Sequence, residues 1–319
     1  MAAIKLSESQ LTALRPLEVA LCKAVAQAES EVAIEIATKI QGLFPNNRTH
    51  HRLLRAKLWA YEACVDANRL AYAESGAIGV RKLAGLSTRL HLEASALLAV
   101  SLLRQKKTVE SKNIIREVIA NINNITSDRT RHQFQKRFIE RIEEDCILVE
   151  LMDSGDCALD PSEVEAKAIF LVQRNSEDEI LKLIGNSVPA AGLLLLNDVR
   201  TYSLEQLPEP DRKLLPSPKK AEEPKNIGRI TFALLRRIAW KTFCKPSSPI
   251  YKLWSKRLPK FFDEGYFTAA ILSTLGDFRI GIPLIASGLA ALAMKYSAEE
   301  FCELAKPKGM MISRDDRKM

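Results

Sequence analysis

The chain has 319 residues, 47% hydrophobic and 27% charged, enough apolar material for one large or two ordinary domains and too much for a globally disordered chain. Lysine and arginine outnumber aspartate and glutamate by 47 to 39, yet residues 228–260 hold nine of the basic residues and no acid, leaving 38 basic and 39 acidic residues elsewhere. The chain is therefore not generally polycationic, and any demand for an anionic partner is local. With 13 glycines and 14 prolines, the composition favours helices over a turn-rich β fold and leaves little for a phosphate-cradling loop.

Helical periodicity runs through most of the chain up to about residue 205. In SEVAIEIATKIQGLF, Val32, Ile36 and Ile40 share one face. RLLRAKLWAYEACVDANRLAYAESG reads as one helix of about seven turns, with Leu54, Leu58, Tyr61, Cys64 and Ala67 aligned and Gly76 as its stop. HLEASALLAVSLLRQ and TVESKNIIREVIANI are two apolar-faced helices joined at Lys106-Lys107. A helix from about 127 to 152 buries Phe134, Phe138, Ile142, Cys146 and Val149. Pro161 opens the next helix. VPAAGLLLLNDV, residues 188–199, is apolar nearly all round and is expected to be an interior helix.

The stretch ALLAVSLLRQKKTVESKNIIREVIANINN, a small-residue-rich helix followed by a short turn and an amphipathic helix, resembles one tetratricopeptide-type unit. Ser111 stands where that family usually has alanine, and Lys106-Lys107 replaces its glycine turn. The resemblance implies antiparallel helix pairs in an α-solenoid-like array with a peptide- or protein-binding surface.

Five prolines (208, 210, 216, 218 and 224) mark residues 206–227 as a linker. The expected organisation is all-α: a helical scaffold over 1–205, the linker, and a basic and apolar helical module over 228–319. Within GRITFALLRRIAWKTFCKPSSPIYKLWSKRLPK the cations Arg229, Arg236, Arg237, Lys241, Lys245, Lys252, Lys256, Arg257 and Lys260 interleave with Phe232, Trp240, Phe243, Tyr251 and Trp254. Such a segment is a solvated helix face, an interfacial membrane anchor or, as runner-up among anionic partners, a nucleic-acid contact. Two uncharged runs follow, residues 265–276 and 280–294, around Asp277-Phe278-Arg279. Pro283 opens the second helix, and Gly288 sits among its small residues. Each run is shorter than the ~20 apolar residues of a single span. They are expected as a re-entrant hairpin, an interfacial pair or core helices.

No catalytic, metal or cofactor residues are assigned. G-x-G-x-x-G, Walker A, H-E-x-x-H and G-x-S-x-G are all absent. His50-His51, His91 and His132 have no partner ligand or nucleophile at a telling spacing. Asp160, Glu165 and Lys167 have the lettering of a metal-dependent nuclease core but fall in a helical pattern. Glu140, Glu143, Glu144 and Asp145, beside Arg137 and Arg141, suit i, i+4 pairs on a solvated face. The six cysteines show no C-x-x-C, and the N-terminus lacks the apolar run of a signal peptide. A cytoplasmic setting with buried thiols is expected, peripheral to or inserted at a membrane if the C-terminal module engages lipid.

The reading is a non-enzymatic helical binding protein: residues 1–205 hold a protein or peptide, and residues 228–296 meet an anionic membrane. In outline this resembles bacterial sensor–effector proteins in which a helical sensor controls a membrane-disrupting tail, some of them in antiphage defence. The alternatives are an adaptor whose C-terminal helices are core, or a nucleic-acid binder using residues 229–260.

Overall fold

The computed structural model describes residues 6–152, 154, 159–213, 215–255, 266–306 and 309–311. Its described residues form an all-α fold of 17 helices with no strand. The chain divides into two compact units, one of residues 6–142, 202–211 and 309–311, the other of residues 143–201 and 212–306.

The first unit begins with three helix hairpins: α1 (Glu8–Ala26) with α2 (Ser30–Gly42), α3 (His51–Asp66) with α4 (Leu70–Leu83), and α5 (Arg89–Arg104) with α6 (Thr108–Ala120). Each helix packs on the next, and α3 also packs on both α1 and α5. The three hairpins turn in the same way. Ala28, Asn68 and Lys106 hold positive φ of 50°, 60° and 60°, and from 28 to 68 is 40 residues, from 68 to 106 is 38. At each turn the residue after the left-handed one donates its N–H back across the helix end: Glu29 to Ala24 O at 2.9 Å, Arg69 to Cys64 O at 2.8 Å, Lys107 to Leu102 O at 3.0 Å. This is the six-to-one bond of a left-handed helix stop, which occupies carbonyls that the helix leaves free. The three turns thus share one backbone geometry although their side chains differ.

These turns correct two expectations. The seven-turn helix over 52–76 is broken at Asn68, because a residue at φ 60° cannot continue a right-handed helix. Gly76 lies inside α4 rather than at its end. A Cβ there would sit 2.3 Å from Tyr61 Cζ, so the missing side chain lets α3 and α4 approach closely. In α2 the buried stripe is Ala33, Ile36, Ala37 and Ile40, while Val32 is 42% exposed.

After a 3-10 turn (Ile122–Asn124) comes α7 (Asp128–Leu151), in which Phe134 and Phe138 stack with centroids 6.0 Å apart. Asp211, fully buried in α11 (Glu209–Arg212), is held by this helix. Arg131 Nε donates to its carboxylate at 3.1 Å, His132 Nε2 lies 2.5 Å from it, and the Gln135 amide donates to its main-chain carbonyl at 3.1 Å.

The second unit contains α8 (Pro161–Arg174), α9 (Glu177–Asn186), most of α10 (Ala190–Gln206), α12 (Pro218–Ala221), α13 (Pro224–Phe243), α14 (Pro249–Trp254), α15 (Tyr266–Asp277), α16 (Pro283–Met294) and α17 (Ala298–Ala305). Asp160 caps α8, accepting the Ser162 N–H at 2.7 Å and the Glu163 N–H at 3.2 Å. The nuclease-like lettering therefore lies on a helix. The unit is built on the crossing of α9 and α13. A Cβ at Gly185 would lie 1.9 Å from Pro224 O, and one at Gly228 would lie 1.8 Å from Leu181 O, so only glycine fits on either side. α16 lies against α8 and α9, with Gly288 over Ile184, and α15 packs on α8, α13 and α16.

Three further differences follow. The Pro-rich stretch 206–227 is not a free linker, since it contributes α11, α12 and the start of α13, with prolines opening the last two helices. The second unit also begins well before residue 228, because α13 buries much of its apolar face against the earlier α9. In α10, Leu195, Leu196 and Val199 are buried but Leu194 is 69% exposed, so the helix is two-faced rather than interior.

Candidate functional site

The basic–aromatic stretch forms α13 and α14, and its two residue types separate by face. Phe232, Trp240 and Phe243 are buried, Trp240 with 6% exposure, and Phe243 meets Phe301 of α17 edge-on with centroids 5.6 Å apart. Cys244 is bonded to Cys302 of α17 as a disulfide with Cα atoms 5.3 Å apart. The expectation of buried thiols fails for these two cysteines, which pair across 58 residues of sequence; Cys22, Cys64 and Cys146 are thiols outside any disulfide.

Arg237 points at acids. Its guanidinium lies 2.9 Å from Glu144 and 3.7 Å from Asp145, with 11% of the side chain exposed. Arg236 is half-buried over the Phe232 ring at 5.4 Å, and burial pushes its pKa down. Lys241, Lys245 and Tyr251 are half-buried, whereas Arg229 and Lys252 are exposed. The Trp254 side chain and Lys256, Arg257 and Lys260 lie outside the described residues. In the apolar pair, Asp277, Arg279 and Pro283 are exposed, Arg279 forming a left-handed turn at φ 51°. Gly288 is buried, as is every residue of α16 from Ile285 to Ala293. Of the residues expected to meet or enter an anionic surface, Arg237 thus faces acids of α7, Gly288 faces Ile184 of α9, and Trp240 is buried.

The acidic cluster of α7 is likewise not a solvated ladder. Arg141 pairs with Asp66 at 2.7 Å and Arg200 with Glu143 at 2.6 Å, both with little exposure; Lys136 and Glu140, at 3.9 Å, form the i, i+4 pair. Among the described residues no group of three or more His, Cys, Asp or Glu is arranged to hold a metal, and no single helix is long and apolar enough to cross a membrane. α9 and α10 reach that length and apolarity together but are bent by 99°.

A different place in the first unit holds a short, bent piece of chain by its backbone. α3 is buried on nearly every side, and Glu62, in the middle of it, is 3% exposed. Its carboxylate accepts the main-chain N–H groups of Met310 and Met311. Arg137 donates to the Met311 carbonyl at 3.4 Å. Met310 and Met311 bury their side chains, and a Cβ on Gly309 would lie only 3.2 Å from Glu62 Oε2. Burial, reinforced by the charge of Asp66, raises the Glu62 pKa to about 7; the two N–H groups and Arg141 work in the opposite direction. The sequence reading passed over this seat. Its one signal was a lone acid in the apolar run LWAYEACV.

No protein-family model, curated protein or solved structure matches the chain.

Proposed function

We propose that the protein is a non-enzymatic adaptor whose first unit takes a short peptide segment and whose C-terminal helices form the interior of the second unit. The observation that carries this reading is the seat at Glu62, where α3 and α7 hold Met310 and Met311 through the N–H of both and the C=O of Met311. Stacked helix pairs are suited to such work, since each pair contacts its neighbours and leaves a long surface for a segment to lie along. The burial of Trp240, Phe243 and Ile285–Ala293 favours the adaptor over a membrane-docking module, because these are the side chains that lipid would otherwise take.

Vesicle flotation tests the choice. The full chain is mixed with phosphatidylserine-containing and with purely phosphatidylcholine vesicles and spun up a density gradient. The adaptor reading expects it to stay behind in both. Flotation with the anionic vesicles alone would overturn it in favour of membrane docking.

A further inference from the structure

The segment on Glu62 is the chain's own Gly309-Met310-Met311. We infer that this tail is a displaceable occupant of a peptide site, and that the site's partner is a segment of the same pattern, bent as the tail is: a small residue followed by two apolar residues that both keep their N–H. The inference rests on the reading of the first unit as a peptide binder and adds the regulation and recognition rule of that site.

Three observations support it. Glu62 and Arg137 read main-chain N–H and C=O groups, which any segment other than one with proline at the second or third position can offer. The close approach at Gly309 favours a small residue at the first position, since a Cβ there would make the Glu62 carboxylate give by a few tenths of an ångström. The two apolar positions are filled by methionine, the unbranched side chain that adapts most readily to an irregular pocket, so other apolar side chains can be admitted. The seat also cannot stand empty cheaply. A carboxylate 3% exposed beside Asp66 loses two N–H donors when the tail leaves, a loss that a second donor segment would make good. A tethered tail competes at an effective concentration on the order of millimolar, which is how it would hold the site closed to weak or mismatched segments.

The test uses a fluorescein-labelled peptide of residues 306–319 and the full chain, read by fluorescence anisotropy. Met310→Asp with Met311→Asp places two charges where the structure buries two methionines and so drives the resident tail off. This variant is expected to bind the peptide at least tenfold tighter than the unaltered chain. Adding Glu62→Ala to it should remove that binding. Because Glu62→Ala could disturb α3, a second arm leaves the protein untouched: a peptide with proline at position 310 or 311 lacks one N–H and should bind at least tenfold more weakly to the tail variant. Equal binding by the unaltered chain and the tail variant, with both folded by circular dichroism, would refute competition by the tail. Indifference to proline would refute the main-chain seat. Equal binding without vesicle flotation removes only this inference, indifference to proline also removes the seat on which the adaptor reading stands, and flotation overturns that reading by itself.

Discussion

Gly228→Ala puts the packing of the basic helix to the test. Alanine is the better helix former, and at an unhindered helix position the exchange stabilises by about 1 kcal/mol. At residue 228 the new Cβ would lie 1.8 Å from Leu181 O, 2.7 Å from Leu181 C and 3.1 Å from Gly185 N. All three are backbone atoms of α9, and no rotamer change relieves them. Ordinary contact begins near 3.4 Å, so α9 and α13 must part by about 1.5 Å, a gap that forfeits much of the dispersion attraction along the crossing. A loss of roughly 3 kcal/mol from overpacking against the gain of about 1 kcal/mol leaves a net destabilisation of about 2 kcal/mol. With a urea slope of about 2 kcal/mol/M, the unfolding midpoint of the second unit should fall by about 1 M, followed by far-UV circular dichroism. Gly79→Ala is the internal control, since nothing lies within 4 Å of its Cβ, and it should raise the midpoint of the first unit by about 0.5 M. If Gly228→Ala were instead as stabilising as Gly79→Ala, α13 would not be pressed on α9, and a detachable basic helix would be back in play.

Three other outcomes are expected. Ala28→Gly and Lys106→Gly should each stabilise the first unit by about 0.5–1 kcal/mol, because both residues hold a left-handed φ that glycine adopts without a steric penalty; a loss of stability in thermal melts would contradict the hairpin turns. A chain ending at residue 227 should aggregate or stay insoluble, since it strips α13 and α16 from α9; a monodisperse fragment on size exclusion would contradict the interior role of the C-terminal helices. Glu62, whose pKa rises from 4.5 to about 7 on folding, should contribute stability fully below about pH 4.5 and lose it as pH climbs through 7. The difference amounts to about 3 kcal/mol. Glu62→Gln should flatten that part of the pH–stability curve, and parallel curves for the two proteins would count against it. Buried Glu93, also shifted upward by burial, titrates in the same sense in both proteins and cancels in the comparison.

Much of the fold could be read from the chain. The periodicity of α5, α6, α7 and α8 and the prolines opening α8 and α16 placed those helices within a residue or two, because their signals are local. The break at Asn68 was hidden because the apolar stripe of α3 runs without a gap into that of α4; asparagine, tolerant of left-handed backbone, was the only cue. The prolines at 208–224 suggested a linker although several of them start helices, and one dipeptide serves either purpose. Charge patterns misled for a related reason. Glu144 looks like a surface acid until Arg237, distant in sequence, is brought beside it. The seat at Glu62 depends on groups 248 residues away, beyond the reach of any periodicity, and only an acid isolated in an apolar helix hinted that a donor had to come from somewhere.

The most direct measurement is amide hydrogen exchange by mass spectrometry on the full chain, with and without phosphatidylserine vesicles, over residues 227–243, 285–293 and 309–311. The account predicts slow exchange in the first two stretches that vesicles leave unchanged, and protection of the Met310 and Met311 amides that Glu62→Ala abolishes. Fast exchange through α13 and α16, or protection there that appears only with vesicles, would contradict it.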